Sequence, residues 1–498
     1  MKTIKILIIQ MMVMTLISLG SCDLTCFPYS DFADEERGES LPDFKLLTSG
    51  AYAQTLWSEA FRARYFMGEY TADNVALSGN SGDNFRYSYQ YEHIKNSTIT
   101  RDMWDNGYKV IYITNEVINR ISDDQDWEYL QEKAECLFIR AEQHFGLLGV
   151  FGLPYQRDNP ATNLGIPLMD KVDRGYPARN TVKEGYDFVI NDLLHAITLF
   201  EKVLAAGGSS KNCCYASKEV CEAFLARIYL YKDDLDNALL YANKVINSGR
   251  YEMVSGEDHL RAPTLVPENI KENIYAFRHT RMEDRDRDAI GSMYLEKDGS
   301  GWAEVYASQS YYDLVRKYPE DIRNGFIEPQ YEAGSTTTVR TRNGVPRYYV
   351  NKFSYQEGYV NLSSPVFLRL AEMYMIRAEV YAKTGSEQEA IDIVNMIRQR
   401  AGLSGTALYT LSDLKGHENV MDVLLEERRL EFAFESHRKW DIFRNRRNLV
   451  RAYPGYHPKG DLGGTGNNFD MLILFTNPAL AHFLPQREIE INKNLIDN

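Results

Sequence analysis

Long hydrophobic runs are scarce in this 498-residue chain. After residue 19 no stretch reaches eighteen consecutive apolar residues, so nothing beyond the first residues reads as a helical membrane span. Positive charge is also short. Lys and Arg number 56 against 70 Asp and Glu, a formal net charge of −14. A nucleic-acid partner needs a concentrated basic footprint, so it is excluded, and anionic phospholipid is disfavoured on the same ground. Catalytic signatures are missing: there is no G-x-x-x-x-G-K-[ST] loop, no H-E-x-x-H and no G-x-S-x-G. The nine histidines form no zinc-type pair, and His144, His195 and His437 fall on helical patterns. A glycosidase needs two carboxylates a few ångströms apart across a sugar, which no spacing here displays. The expectation is a chain that is not an enzyme and carries no cofactor. The acid-rich stretch Glu283 to Asp288 still permits a structural calcium.

Cysteine is sparse too. Of Cys22, Cys26, Cys136, Cys213, Cys214 and Cys221, no two have C-x-x-C spacing. Cys136 and Cys221 lie on apolar helical patterns and read as core, while Cys213 and Cys214 are adjacent and loop-like. The disulfide state of the five beyond Cys22 stays open.

The one apolar run is at the start. Lys2 and Lys5 precede a nearly continuous apolar stretch, Ile6 to Leu19, and then Leu19-Gly20-Ser21-Cys22. A positive start, a short apolar run and small residues before a cleavage point describe an export signal. The closing Cys makes it resemble the bacterial lipoprotein signal, which implies cleavage after residue 21 and lipidation of Cys22. Several acyl chains on one Cys suffice for stable anchoring, where a single chain is marginal. Residues 22–42, rich in Asp, Glu, Pro and Gly, read as a lipidated tether, and 43–498 as one body.

Within the body, apolar residues recur every three to four positions over about 43–59, 101–121, 127–150, 182–203, 217–231, 234–248, 309–318, 364–384, 386–401 and 418–445, predicting helices. Two segments share an internal pattern. Ala226, Tyr229 and Ala238 are matched by Ala378, Tyr381 and Ala390, with identical spacings of three and twelve. This is the tetratricopeptide pattern, in which a small residue admits a crossing helix and stacked pairs bury a common core. The segment 127–150 is expected to pair with 182–203 across an insertion. Trp57, Trp104 and Trp127 lie on helical patterns and read as core.

Particular strings then carry a family resemblance. Glu427-Arg428-Arg429-Leu430-Glu431-Phe432-Ala433-Phe434-Glu435, with His437-Arg438-Lys439-Trp440-Asp441-Ile442, resembles the C-terminal signature of SusD/RagB proteins. Leu368 to Tyr374, Arg398 to Leu403, Leu484-Pro485-Gln486 and, earlier, Arg140-Ala141 and Leu153-Pro154-Tyr155 resemble further family segments in the family's order. The resemblance implies a mostly α fold: a tetratricopeptide-like scaffold, with loops and short hairpins building a ligand face. It divides the body into a loop-rich N-terminal part (43–250) and a signature part (364–498). It also implies an outer-membrane, surface-exposed lipoprotein that captures a nutrient glycan for a SusC-like TonB-dependent transporter. The membrane is then reached through the lipid anchor only. Peptide capture, as in some relatives, is the alternative cargo; a hydrolase or an envelope tetratricopeptide scaffold is less favoured. The signature's own charges, Glu435 four before Lys439 among them, read as helix-stabilising pairs rather than catalytic groups.

A glycan binder needs flat aromatic platforms beside polar side chains. Phe85, Tyr87, Tyr89 and Tyr91 alternate, so a strand there would show all four on one face, toward ligand or packed inward, with Asp73, Asn74, Asp83 and Asn84 close by. A second cluster is Tyr294, Trp302, Tyr306, Tyr311 and Tyr312; Trp302, between Gly299-Ser300-Gly301 and Ala303, sits in a loop suited to recognition. The candidate contacts are therefore Trp302, Tyr294, Tyr306, Phe85, Tyr87, Tyr89, Asp73 and Asn74.

Overall fold

The computed structural model describes residues 38–78, 85–173, 175–283, 285–455 and 470–498. The leader, Cys22, Cys26, Asp83 and Asn84 lie outside the described residues. Two units emerge, Met1–Phe44 and Lys45–Asn498. In the first, the Ser40 N–H and hydroxyl both donate to Asp43 Oδ2, at 3.1 and 2.5 Å. The second carries the scaffold and the loops.

The described chain is mostly helical. The helices are α1 (Leu41–Thr55), α2 (Ser58–Tyr65), α3 (Phe85–Gln90), α4 (Thr98–Ile118), α5 (Trp127–Phe151), α6 (Val182–Ala205), α7 (Lys218–Lys232) and α8 (Leu235–Asn247), then α9 (Glu257–Arg261), α10 (Ile290–Tyr294), α11 (Gln309–Val315), α12 (Leu370–Thr384), α13 (Glu387–Arg400), α14 (Val420–Glu431), α15 (Arg438–Arg444) and α16 (Gln486–Ile491). Local chemistry sets their ends. Thr181 and Glu184 form a capping box at the start of α6, and Ser217, Asp234 and Asn419 cap α7, α8 and α14. Gly385 closes α12 in the left-handed region, at φ 90°.

The paired architecture follows the small-residue pattern. Ala226, Ala238, Ala378 and Ala390 are all fully buried, and Tyr229 stacks on Tyr241 with ring centres 5.6 Å apart. α7 packs on α8, α12 on α13, and α8 on α12, so the two pairs stack. α5 and α6 form the most extensive helix contact, as the sequence leads one to expect. Arg140 ties three helices together: from α5 it donates to Asp192 on α6 (2.8 and 2.6 Å) and Asn115 on α4 (2.7 Å).

The described strands form five two-stranded antiparallel sheets: β1 (Val75–Leu77) with β3 (Val305–Ala307), β2 (Asn273–Ala276) with β8 (Val366–Arg369), β4 (Ile327–Pro329) with β7 (Tyr348–Val350), β5 (Thr341–Arg342) with β6 (Val345–Pro346), and β9 (Leu449–Arg451) with β10 (Met471–Ile473).

Three expectations are corrected. The signature 418–445 is two helices, α14 and α15, separated by a turn in which Phe434 and Ser436 take φ of 70° and 67°. The turn is held from outside: Glu69 accepts the N–H groups of Phe434 (2.9 Å) and Ser436 (3.1 Å). Gly68 lets the chains meet, since a Cβ there would stand 2.6 Å from the Ser436 carbonyl oxygen. The segment 85–91 is helical rather than a strand, and Tyr91 leaves it at φ 58°. Finally, Trp104 is core but Trp57 and Trp127 are exposed, because both sit where a helix begins rather than on its buried stripe. Cys136 and Cys221 are buried; with Cys213 and Cys214 they are free thiols.

Candidate functional site: an aromatic and arginine face built on loops

The β1–β3 pairing sets Val75 against Ala307 and Leu77 against Val305, which joins the early loop to the mid-chain loop. Ser308 reinforces the joint, donating its N–H to the Asn74 carbonyl (2.8 Å) and its hydroxyl to the Asp73 carbonyl (2.7 Å). Beside this joint Trp302 stands 45% exposed. Its position is over-determined. The N–H groups of Trp302 and Ala303 both donate to the Ser292 carbonyl, at 2.7 and 2.9 Å. The indole Nε1 donates to the Arg287 carbonyl (3.0 Å), and the Arg287 guanidinium lies 4.7 Å from the ring centre. Gly301, at φ 106°, lies so close to the Leu295 carbonyl that a Cβ would stand 2.1 Å from its oxygen. The loop thus presents one wide aromatic surface without freedom to collapse.

Further polar groups lie on this loop and on other mid-chain loops. Arg342 donates to the Ala303 carbonyl (3.2 Å) and pairs with Glu304 (3.2 Å). Lys297 faces the Tyr355 ring at 5.5 Å, and Arg281 the Tyr359 ring at 4.5 Å; both tyrosines are half-buried. Among the described non-glycine residues, Asp286, Asp298, Ala303, Asn343, Tyr355 and Glu357 all have positive φ in these loops. Such backbone costs roughly 1–3 kcal/mol per residue and clusters at ligand clamps and switch regions.

The other candidates from the sequence fall elsewhere. Tyr294 and Tyr306 are each 1% exposed. Tyr294 stacks on Phe353 and meets Phe434 edge-on, and Tyr306 stacks on Tyr349. Tyr89 is buried beneath the Arg451 guanidinium, 3.6 Å from its ring centre. Phe85 and Tyr87 are half-buried, Phe85 against Phe66 and Tyr87 against Arg86. Asp73 is buried in a two-pronged pair with Arg438 (2.7 and 2.9 Å), which with Arg429 holds its carboxyl well below the usual range. Asn74 bridges Glu69 (2.8 Å) and Arg429 (2.8 Å). These residues join the early loop to the signature helices, so their polarity is consumed internally. Arg287, Arg342, Tyr355 and Tyr359 were not singled out; the Tyr355-Gln356-Glu357-Gly358-Tyr359 turn, with a glycine between tyrosines, was the available signal. Among the described residues, no group of three or more His, Cys, Asp or Glu stands where it could hold a metal ion.

Two family models match. One, described as the SusD family, covers residues 323–498; the other, described as starch-binding and associating with the outer membrane, covers 45–230. The chain belongs to the SusD/RagB family. Among its relatives, SusD-like protein P38 of Formosa agariphila is 26% identical over 94% of this chain and 97% of that protein. A SusD superfamily protein from Bacteroides thetaiotaomicron superposes with a TM-score of 0.78 at 24% identity, covering 92% of this chain and 99% of the other. A SusD-like carbohydrate binding protein from Bacteroides vulgatus gives 0.71 at 19% identity, over 92% and 97%. The SusD models meet this structure on either side of the Trp302 loop, which neither covers. Among the described residues no helix is long and apolar enough to cross a membrane.

Proposed function

We propose that this protein captures a nutrient glycan at the cell surface and passes it to a SusC-like TonB-dependent transporter, performing no chemistry on it. In this reading residues 1–21 are removed, Cys22 carries the lipid that anchors the chain in the outer membrane, and the body faces outward. Family membership supports the class, since one matching model is described as starch-binding and associating with the outer membrane. The observation that carries the site is Trp302, a rigidly held, exposed indole with Arg287 against it and Arg342 alongside. A sugar ring has an apolar face and a rim of hydroxyls. An indole offers a flat surface to the first, and guanidinium N–H groups donate to the second. Asp73, Asn74, Tyr294, Tyr306 and Tyr89 support the platform from the interior instead of touching cargo.

The test is affinity-gel electrophoresis of residues 23–498 against a panel of polysaccharides, with released sugar assayed in parallel. Retardation by one glycan, without hydrolysis and weakened at least ten-fold by Trp302→Ala, is the expected outcome. Binding of peptide alone would replace glycan by peptide as cargo, and release of sugar would overturn the non-catalytic reading.

A further inference from the structure

Cys213 and Cys214 are adjacent in sequence, and the fold sets them at the two central positions of a β-turn, in which the Tyr215 N–H donates to the Asn212 carbonyl at 3.1 Å. In a strand, successive side chains point to opposite faces; a turn can bring them to one side. Here the two thiols meet, the Cys214 S–H donating to the Cys213 sulfur. Both residues are half-buried, whereas Cys136 and Cys221 are fully enclosed. The turn is fixed from several directions. The Cys213 carbonyl accepts the Ala276 N–H from β2 (2.9 Å), and Asn212 Oδ1 accepts the Cys214 N–H (2.9 Å). On the side of α7, the Ala216 N–H donates to the Tyr52 hydroxyl (2.9 Å), and Tyr215 meets the Tyr52 ring edge-on at 5.3 Å. On the other side, Lys211 pairs with the buried Glu135 at 2.5 Å.

The bond between the thiols has a direction. Accepting it holds the Cys213 thiol below its usual range, and donating it, together with burial, pushes the Cys214 thiol up. The thiolate is the nucleophile of sulfur chemistry, so Cys213 is the residue that attacks and Cys214 the one that resolves. We propose that Cys213 and Cys214 are a redox-active dithiol that closes reversibly to a disulfide across a single peptide bond, with a small-molecule disulfide as its oxidant. This chemistry does not depend on what the Trp302 face binds.

The step balances in two exchanges. The Cys213 thiolate attacks one sulfur of R–S–S–R, forming a mixed disulfide and expelling one R–S⁻. Cys214 then gives up its proton, attacks the Cys213 sulfur and expels the second R–S⁻. The chain loses two electrons and two protons, and the oxidant leaves as two R–SH. The second exchange is intramolecular between groups already in contact, so the mixed disulfide does not persist. The product is under strain: adjacent Cα atoms stand about 3.8 Å apart across a trans peptide, against roughly 4.4–6.8 Å in a relaxed disulfide. Strained, accessible disulfides are the easily reduced ones, which makes this pair a reversible site rather than a structural staple.

Oxidised glutathione added to residues 23–498, followed by acid quenching, blocking of the remaining thiols and mass spectrometry of tryptic peptides, tests this. The peptide Asn212–Lys218 holds both cysteines and no other, which separates them from Cys26, Cys136 and Cys221. That peptide is expected to become two hydrogens lighter, to carry no glutathione, and to revert when reduced glutathione is added. In Cys214→Ser the mixed disulfide should accumulate at Cys213, since nothing resolves it. Closure in the folded chain should outpace closure in urea by at least about ten-fold, because the turn holds the thiols together. Glutathione retained on the unaltered pair, a bridge from either residue to another cysteine, or equal rates in the folded and unfolded chain would each overturn the proposal. Should Cys214→Ser not fold, the comparison of folded and unfolded rates on the unaltered chain decides.

Discussion

Glu427 is fully enclosed and accepts from Arg323 (2.6 Å) and Arg398 (2.8 Å), while Asp321 completes the Arg323 fork at 2.7 Å. One helical turn on, Glu431 accepts from Arg369 (2.5 Å) and from Arg400, which also reaches Glu272 (3.0 Å). A buried ion pair contributes little net stability when whole, but removing one member strands the other without water. Glu427→Ala leaves the buried Arg398 without its carboxylate and takes one of two carboxylate partners from Arg323, which keeps Asp321. It is expected to destabilise the protein by about 3–5 kcal/mol, read as a lowered midpoint in chemical denaturation. The same residues show how sequence spacing misleads at this scale. Glu435 and Lys439 stand four apart, as an exposed helical pair would, yet the turn between them ends the helix. Glu435 bonds Lys352 and Arg369, and Lys439 faces the Leu480 carbonyl at 3.5 Å. Spacing reports which residues share a helix face only while the helix continues.

At the scale of elements, the long helices were legible because each buries a stripe at a 3.6-residue period and carries its own stop signals. The capping box of α6 is one such signal. Thr181→Ala removes the hydroxyl's two bonds, Glu184 N–H to the Thr181 hydroxyl (3.2 Å) and that hydroxyl to the Glu184 carboxylate (2.9 Å), while the backbone N–H keeps its own bond to Glu184, and should cost about 1 kcal/mol. A shift of the denaturation midpoint without a change in slope would check it. The two misread elements lack such signals. Phe85, Tyr87, Tyr89 and Tyr91 alternate as a strand does, but the choice is made by packing: Phe85 fits against Phe66, and Arg451 covers Tyr89. No Gly or Pro marks the break between α14 and α15; Glu69, far away in sequence, supplies it. The Trp302 platform was partly legible for the opposite reason. Its glycines advertise a turn, whereas the arginines around it are distributed over separate loops that only the fold assembles.

Across the whole molecule, the C-terminal segment returns to the early part of the chain. His93 and His482 stack with ring centres 3.6 Å apart. Burial depresses His93 to about 4 and His482 well below its ordinary value, and Lys439 nearby opposes a second positive charge. In the unfolded chain both imidazoles take up protons near pH 6.5, while in the folded chain they stay neutral, so stability falls as pH drops from about 6.5 to about 4. Glu379 acts lower down, since it is held at about 2 and its stabilisation is lost as pH falls from about 4.5 towards 2, whereas Glu69, pushed up to about 7 by burial, takes up its proton early and partly offsets the histidines between pH 7 and 5. Urea midpoints at pH 7 and pH 5 should therefore differ, and His482→Phe, which keeps a ring on the stack, should narrow the difference. The same joining of distant segments has a consequence in time. Glu69, Asp73 and Asn74 find their partners at Phe434, Ser436, Arg438 and Arg429, some 365 positions later for Glu69 with Phe434 and for Asp73 with Arg438. A chain is made from its N-terminus at about 5–20 residues per second, so this early loop waits tens of seconds with buried-type charges open to water before its counterparts exist. The joint between the early loop and the signature must then form after residue 438 has been made, and a chain that stopped before the signature would keep the bonds around Trp302 but leave Glu69, Asp73 and Asn74 without these partners.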